Sequence, residues 1–171
     1  MKALFLTLIV SLTCAILTAS AQSPQPAILT PTKGVTALPV AVEGLEVRVE
    51  GAFVLVTLAY NNATATPLSI GLQQWANAMT GLVDDVHNSY TLLQTFGIGY
   101  GYDRRYWLAL EAHGYATATF LFRAEDPSSK QATRYTLTSG QQIIADDPTT
   151  GGLFTIALRN LKASSVSSTS P

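Results

Sequence analysis

The densest group of side chains that could do chemistry lies in "VDDVHNSY", residues 83–90. It places Asp84, Asp85, His87 and Asn88 within one turn-sized segment. Carboxylate and amide oxygens are the ligands that Ca²⁺ prefers, but calcium takes about six to eight of them, and this segment alone offers too few. The pattern favours a hairpin turn held by Asx side chains. It leaves Asp84, Asp85 and Asn88 as a candidate calcium set.

The other reactive residue types lack the partners that catalysis requires. A hydrolase nucleophile elbow would need Gly-x-Ser-x-Gly, which does not occur. A zinc site would need more ligands than His87 and His113, which are not spaced as a metal-binding pair. Glu111 and Asp103 could form a carboxylate pair of the glycosidase kind, yet 11 acidic residues offer such pairs by chance. We therefore expect no catalytic residue, no metal, no cofactor and no enzymatic activity.

The stretch "FGIGYGYDRRYW", residues 96–107, alternates aromatic or aliphatic residues with glycines. If Phe96 to Tyr102 is one strand, then Phe96, Ile98, Tyr100 and Tyr102 share a face and the glycines occupy the other. One interpretation places this face in the core, with the tyrosine hydroxyls at its rim. The other is an exposed platform of the residue types enriched at binding hot spots. Its candidate binding residues are Tyr100, Tyr102, Arg104, Arg105, Tyr106 and Trp107.

The candidate residues must lie on β-strands or in the turns between them, because apolar side chains recur at every second residue along most of the chain. In "LEVRVE", residues 45–50, apolar and charged side chains alternate, as in a half-buried strand. "AFVLVTLAY", residues 52–60, is almost continuously apolar, which predicts a strand covered on both sides. Only "QQWANAM", residues 73–79, could form a helical turn. Further strands are predicted at 68–72, 81–83, 89–95, 96–102, 115–123, 133–138, 141–145 and 153–161.

About eight to ten short strands separated by turn residues predict an all-β, antiparallel β-sandwich. The predicted sandwich domain covers residues 41–162. A Pro- and Thr-rich leader precedes it over residues 22–40, and a flexible Ser/Thr tail follows over residues 163–171. Proline fixes φ and removes a hydrogen-bond donor, so the leader is expected to be extended.

The N-terminal segment has the form of a secretory signal peptide. Lys2 is followed by an apolar run and by Ala19-Ser20-Ala21, which predicts cleavage after Ala21. The only cysteine, Cys14, would leave with the signal, so neither disulfides nor thiol chemistry are expected in residues 22–171. Asn62-Ala63-Thr64 is an N-glycosylation sequon, which matters only in a eukaryotic secretory pathway. We expect an extracytoplasmic protein, either periplasmic or secreted.

Four segments together resemble the immunoglobulin-like domains of unknown function found in many exported bacterial proteins. These segments are "NNATATPLSI", "LVDDVHNSYTL", "LEAHGYATATFLFRAED" and "ATRYTLTS", and the resemblance covers roughly residues 45–138. The chain departs from the pattern at Asn88, near a usual glycine, and at His113-Gly114, which replaces a usual Pro-Gly. The resemblance implies an immunoglobulin-like fold and carries no catalytic residues, because sandwich folds host unrelated functions.

Charge and composition narrow the possible partners. The formal net charge is −1 and no basic stripe suggests nucleic acid. No second long apolar run suggests a membrane span once the signal is removed. We expect a non-catalytic binding or structural module of the cell envelope or surface that contacts another protein, with self-assembly as one route. The alternative is a carbohydrate-binding module that stacks its aromatic rings on a surface glycan.

Overall fold

The computed structural model describes residues 23–31, 38–73, 80–100, 105–126, 132–140, 142–145 and 153–164. Their regular structure is all β, and all pairs of strands are antiparallel. Within these ranges, no helix has the length and apolar character needed to cross a membrane. The 13 strands are Gln25–Pro26 (β1), Ile28–Pro31 (β2), Val40–Glu50 (β3), Phe53–Asn62 (β4), Leu68–Gln73 (β5), Gly81–Asp84 (β6), Ser89–Phe96 (β7), Gly99–Tyr100 (β8), Arg105–Leu110 (β9), Tyr115–Ala124 (β10), Arg134–Thr138 (β11), Gln142–Ala145 (β12) and Leu153–Lys162 (β13).

The strands form because apolar side chains recur on alternate residues. In β10, Ala118, Phe120 and Phe122 are buried, whereas the residues between them are only partly buried. Of the 13 strands in the described ranges, the patterns predict nine and miss β1, β2 and β9, and they give β8 only as part of a longer strand over residues 96–102. Of the segment predicted as a possible helical turn, Gln73 ends β5 and residues 74–79 lie outside the described ranges.

The sheet folds back on itself to make two layers. Layer one has the strand order β1-β3-β4-β10-β7, and layer two has the order β6-β11-β13-β12-β5-β9-β8. The β6–β7 hairpin joins them at one side. A Cβ atom on Gly44 of β3 would lie 2.8 Å from Leu161 of β13, so the layers pack face to face. The all-β antiparallel sandwich predicted from the sequence is confirmed.

One polar pair crosses the core between the layers. Gln142 of β12 donates from Nε2 to the hydroxyl of Tyr60 in β4 at 3.2 Å. Both residues are buried, and burial raises the pKa of the Tyr60 hydroxyl above its ordinary value, with the Gln142 hydrogen bond opposing part of the shift. Because this hydrogen bond has a required direction and length, it favours one alignment of β4 over β12.

The leader contributes two strands that the sequence patterns do not predict. β1 pairs with β3 in layer one, and β2 pairs with β13 in layer two. Ala27 and Leu29 pack against the core as the chain passes from one layer to the other. Proline is tolerated in such strands because they lie at the edges of a sheet. At the other end, Ser164 of the predicted tail donates its N–H to Val47 O at 2.7 Å, and residues 165–171 lie outside the described ranges.

A bend divides the segment that supplies β11 and β12. β11 pairs with β6, whereas β12 pairs with β5. At the bend the Ser139 hydroxyl donates to Gly140 O at 2.8 Å and accepts from Ile156 N at 2.9 Å. The Gly140 N–H donates to the Thr80 hydroxyl at 3.0 Å. These bonds satisfy backbone groups that the bend removes from the hydrogen-bond ladder. One continuous segment can therefore pair with β6 before the bend and with β5 after it.

The prediction of one strand over Phe96 to Tyr102 is wrong. β7 ends at Phe96, Gly97 has a φ of 85°, and β8 begins at Gly99 in the other layer. Phe96 is exposed while Ile98 packs against the core, so they do not share a face. The positive φ of Gly97 turns the chain here, and a Cβ at this position would lie 2.4 Å from Thr117 O.

Three glycine-to-alanine substitutions separate the two constraints on Gly97. Gly97→Ala should lower the free energy of unfolding by about 2–4 kcal/mol, because it combines a disfavoured φ with a backbone clash. Gly51→Ala, with a φ of 60° and nothing within 4 Å, should cost about 1 kcal/mol. Gly81→Ala has neither constraint and should stay within about 0.5 kcal/mol of the wild type. Urea denaturation gives the free energy of unfolding of all three variants. Equal losses for Gly97→Ala and Gly81→Ala would contradict the turn at Gly97 that takes the chain from layer one to layer two.

Candidate functional site

The aromatic stretch becomes the β8–β9 hairpin at the end of layer two. Tyr100 lies opposite Tyr106, and Gly99 lies opposite Trp107. Arg105 is the first residue of β9 and lies opposite Gln73 of β5. Tyr102 and Arg104 lie outside the described ranges. Of the six predicted binding residues, Trp107 is the one whose side chain the structure describes.

Trp107 lies on the outer face of layer two. Its chain neighbour Leu108 is buried and lies opposite Ile70 of β5, which is also buried. Successive side chains of a strand point to opposite faces, so Trp107 and its register partner Gly71 belong to the solvent side. Trp107 is half-buried rather than exposed.

The indole of Trp107 covers Gly71. A Cβ atom on Gly71 would lie 2.9 Å from Cζ3 and 3.0 Å from Cη2 of the ring. Gly71 is consequently buried although it is on the outer face. The absence of a side chain at this position lets the ring approach the strand closely. The sequence offered a signal for this packing, since Gly71 leaves a position without a side chain inside the strand "LSIGL", but it did not indicate which residue would cover it.

The cross-strand row that contains Trp107 and Gly71 continues into a glycine on one side and an aliphatic residue on the other. Ile143 of β12 lies opposite Gly71 on the side away from Trp107, and it is half-buried. Gly99 lies on the other side of Trp107. We call the row Gly99, Trp107, Gly71 and Ile143 the tryptophan patch. The row contains no charged residue and no side chain that could act as a nucleophile, acid or base.

The outer face of layer one carries a second apolar surface, which the sequence patterns did not predict. On layer one, Phe53 of β4 is 41% exposed, and Leu93 and Phe96 of β7 are 46% and 42% exposed. The prediction that residues 52–60 are covered on both sides is wrong for the described chain, because Leu55 on the outer face is only half-buried. The continuous apolar run of residues 52–60 indicated that both faces of β4 are hydrophobic, but it did not indicate that one of them is partly exposed to solvent.

The Asp-rich turn is held by the side chain of Asp84. Its Oδ1 accepts from Val86 N at 3.0 Å and from Asn88 N at 2.8 Å. Its Oδ2 accepts from Asn88 Nδ2 at 2.7 Å and from the Tyr90 hydroxyl at 2.9 Å. The predicted Asx turn is therefore present. Both Asp84 oxygens are committed to protein donors, so using this carboxylate as a calcium ligand would break the turn.

The Tyr90 hydroxyl lies between Asp84 and a second tyrosine. The rings of Tyr90 and Tyr135 meet edge to face with centroids 5.9 Å apart. Burial, followed by the hydrogen bond to Asp84, raises the pKa of Tyr90 above its ordinary value. Burial likewise raises the pKa of Tyr135. A tyrosine hydroxyl is already neutral near pH 7, and the upward shift of its pKa extends the range over which Tyr90 donates to Asp84.

Asp85 fastens the same turn to the start of β11. Its Oδ1 accepts from Thr133 N at 3.1 Å and its Oδ2 accepts from Thr133 Oγ1 at 2.6 Å. These hydrogen bonds stabilise the carboxylate and lower its pKa below the ordinary value of 3.8. With Asp84 and Asp85 both engaged, the structure gives the candidate calcium set a different use, which is to connect β6, β7 and β11.

The two histidines occupy separate turns. His87 lies in the Asp84 turn and His113 in the β9–β10 turn, and both are exposed with positive φ. Glu111 shares the second turn with His113, while Asp103 lies outside the described ranges. Among the described residues, no group of three His, Cys, Asp or Glu side chains is arranged to hold a metal ion.

Asn62, the sequon residue, is buried and fully hydrogen bonded. Its Nδ2 donates to Thr66 O at 2.8 Å and to Glu111 O at 2.9 Å. Its Oδ1 accepts from Thr64 N at 2.8 Å and from Thr64 Oγ1 at 2.7 Å. A glycan is attached through Nδ2, so glycosylation would remove bonds on which this corner depends. In the folded protein Asn62 acts as a clasp between the β4–β5 loop and the β9–β10 turn.

No protein-family model matches the chain, and no curated protein matches it in sequence.

Asn62→Asp tests the clasp with an almost isosteric change. The variant loses both Nδ2 donors and places a carboxylate beside two carbonyl oxygens, so the free energy of unfolding should fall by about 2–4 kcal/mol. Asn61→Asp, the same change at its half-buried neighbour on the outer face, should cost less than about 1 kcal/mol. Chemical denaturation compares the two, and equal stability would contradict the clasp.

Thr133→Val tests the attachment of the turn through its pH dependence. Removing the hydroxyl donor should raise the pKa of Asp85 towards 3.8, as followed by ¹³C NMR of its carboxyl carbon. A depressed folded pKa stabilises the protein above the unfolded pKa, and this contribution disappears as pH falls through the folded value. The stability difference between wild type and variant should thus be present at neutral pH and shrink in acid. Thr138→Val, on the exposed end of β11, should leave the Asp85 pKa unchanged.

Proposed function

We propose that the protein is an exported, non-catalytic binding module of the cell envelope or surface, and that it contacts another protein through the tryptophan patch. The observation that carries this proposal is the indole of Trp107 lying over Gly71 in an apolar row on the outer face of layer two. Tryptophan in such a position contributes a large contact area at low conformational cost, and it is among the residues enriched at hot spots.

The strand order supports an immunoglobulin-like assignment for the sandwich. Immunoglobulin constant-type domains place strands A, B, E and D in one sheet and C, F and G in the other. Here β3, β4, β10 and β7 are adjacent in layer one, and β5, β12 and β13 are adjacent in layer two. In chain order these strands take the positions A, B, E, D and C, F, G. The hairpin of β8 and β9 is an addition on the free side of β5.

The sequence supports export. Residues 1–21 combine Lys2, an apolar run and a small-residue cleavage site at Ala21. Residues 22–171 contain no cysteine, so the fold needs no particular redox compartment. The interpretation of residues 1–21 as a signal rests on sequence alone, because those residues lie outside the described ranges.

A carbohydrate-binding module is the second candidate, and one observation favours it. The register neighbours of Trp107 on both sides are glycines, Gly71 and Gly99, so no side chain of those two residues stands over the indole. An indole on the outer face of a sheet can stack on a sugar. A sugar platform, however, gains from several coplanar rings, whereas the row here continues into the aliphatic Ile143. The aliphatic continuation is typical of a protein contact.

Site-specific photo-crosslinking tests the proposed contact in the cells that export the protein. A photoreactive residue replacing exposed Ala109, two positions from Trp107 on the same face, should yield a discrete protein adduct. The adduct should disappear when Trp107→Ala is introduced, and the same reagent at Glu46 on layer one should not yield it. An adduct at Ala109 that persists in Trp107→Ala would contradict the proposal. Trp107-dependent binding of purified protein to glycans, without a protein adduct, would support the second candidate instead.

A further inference from the structure

The β7 strand has an open edge in layer one. β7 pairs with β10 from Tyr90 to Phe96, whereas β6 on its other side pairs only with Ser89 and Tyr90. Across the described chain, no strand therefore pairs with the outer edge of residues 91–96. A strand edge of this kind presents backbone N–H and C=O groups that are ready to pair with another strand.

The sequence of this edge lacks the usual protection against pairing. Residues 91–96 read "TLLQTF" and contain no charged residue, no proline and no glycine. Natural edge strands are commonly blocked by lysine, proline or inward-facing charges. One protective feature is present, a bulge at Leu93 between the pairs Leu121–Gln94 and Phe122–Leu92. The bulge leaves Gln94, Thr95 and Phe96 as a regular segment beyond it.

The charges of layer one favour the pairing of two copies along β7 over their pairing along β3. On β3, at the opposite side of layer one, Glu43, Glu46 and Glu50 face outward and only Arg48 compensates, through its ion pair with Glu50. Two copies meeting there would oppose acidic residues. Residues 91–96 are neutral, so two copies can approach along β7 without repulsion within the strands.

A carboxylate at one end of residues 91–96 favours antiparallel over parallel pairing. The Thr91 hydroxyl donates to Glu125 Oε1 at 3.2 Å, which puts a carboxylate at one end of the open strand. Parallel pairing of two β7 strands would bring the two Glu125 side chains to the same end. Antiparallel pairing about a two-fold axis keeps them at opposite ends and makes the interface self-complementary.

We propose that residues 91–96 of β7 pair antiparallel with the same residues of a second copy, joining two layer-one sheets into one continuous sheet. The exposed side chains of Leu93 and Phe96 then lie beside the partner's outer face and lose part of their contact with water. This self-association is separate from the tryptophan patch, which belongs to layer two.

Sedimentation equilibrium on the purified protein, over a wide range of concentration, tests the proposal. The wild type should show a monomer–dimer equilibrium. Leu93→Lys should weaken association by about tenfold or more, because the two copies of residue 93 lie diagonally beside each other at the two-fold axis, where like charges are destabilising. The Leu93 side chain is exposed, so the monomer should keep its far-ultraviolet circular dichroism and its unfolding cooperativity. A wild type that stays monomeric throughout would overturn the proposal.

Two further measurements distinguish edge pairing from other contacts. Phe53→Lys is a matched control, since Phe53 is exposed to nearly the same extent on the same face but lies on β4, away from the edge. It should leave association unchanged, and its loss of association would instead indicate stacking of outer faces. Mixing Leu93→Lys with Leu93→Glu should restore dimers that neither variant forms alone. Amide hydrogen exchange over residues 91–96 should slow as concentration rises, and slowing confined to other strands would contradict the proposal.

Discussion

The structure depends on the burial of one apolar face from each layer against the other. From residue 15 onward the chain has no cysteine, so no disulfide supports the fold there. The central strands of layer one contribute fully buried side chains such as Leu58, Phe120 and Phe122, and these share one core with Phe154 and Ile156 of β13. Because burial is the dominant favourable term, every strand must send alternate residues inward, and what remains on the outer faces is available for contacts. The tryptophan patch and the exposed β7 side chains both follow from that division.

Local polar clusters then fix the ends of the strands. Asp84 and Asp85 hold the β6–β7 turn and attach it to the start of β11, while Asn62 holds the β4–β5 loop against the β9–β10 turn. Each of these side chains was of interest in the sequence for another reason, as a calcium ligand or a glycosylation site. In the fold they satisfy backbone groups that leave the ladders, which buried loops must do to be stable. Acidic and amide residues in turns therefore need not indicate ligand binding.

The sequence predicted which residues form strands better than it predicted which strands pair with one another. Period-two alternation identified β3 and β10 because it depends only on adjacent residues. It missed the pairing of the leader, since Gln25–Pro26 and Ile28–Pro31 are too short to show a period and acquire their partners from β3 and β13. It also joined Phe96 to Ile98 across Gly97. Glycine fits an alternating pattern, but its positive φ lets the chain cross between layers there.

The sequence singled out Trp107 as a candidate residue but did not indicate where the fold places its side chain. The residue types around Trp107 fitted either a buried aromatic face or an exposed binding platform, and the position of the indole depends on the register of β9 against β5, which are far apart in sequence. Nothing local to "RRYW" indicates that Gly71 leaves room for the ring. Within the described ranges, residues 91–96 of β7 likewise have no second neighbouring strand, because the pairing with β6 ends at Tyr90, and the sequence of β6 does not reveal this.

The most direct test of this account is the NMR spectrum of Gly71 in the folded protein. With the indole of Trp107 lying over the strand at this position, the Gly71 α-protons should be shifted upfield by the ring current and should show nuclear Overhauser effects to the ring protons. Both signals should vanish in Trp107→Ala. Ordinary Gly71 shifts without contacts to the indole would contradict the placement of Trp107 over Gly71, and with it the tryptophan patch on which the proposed function rests.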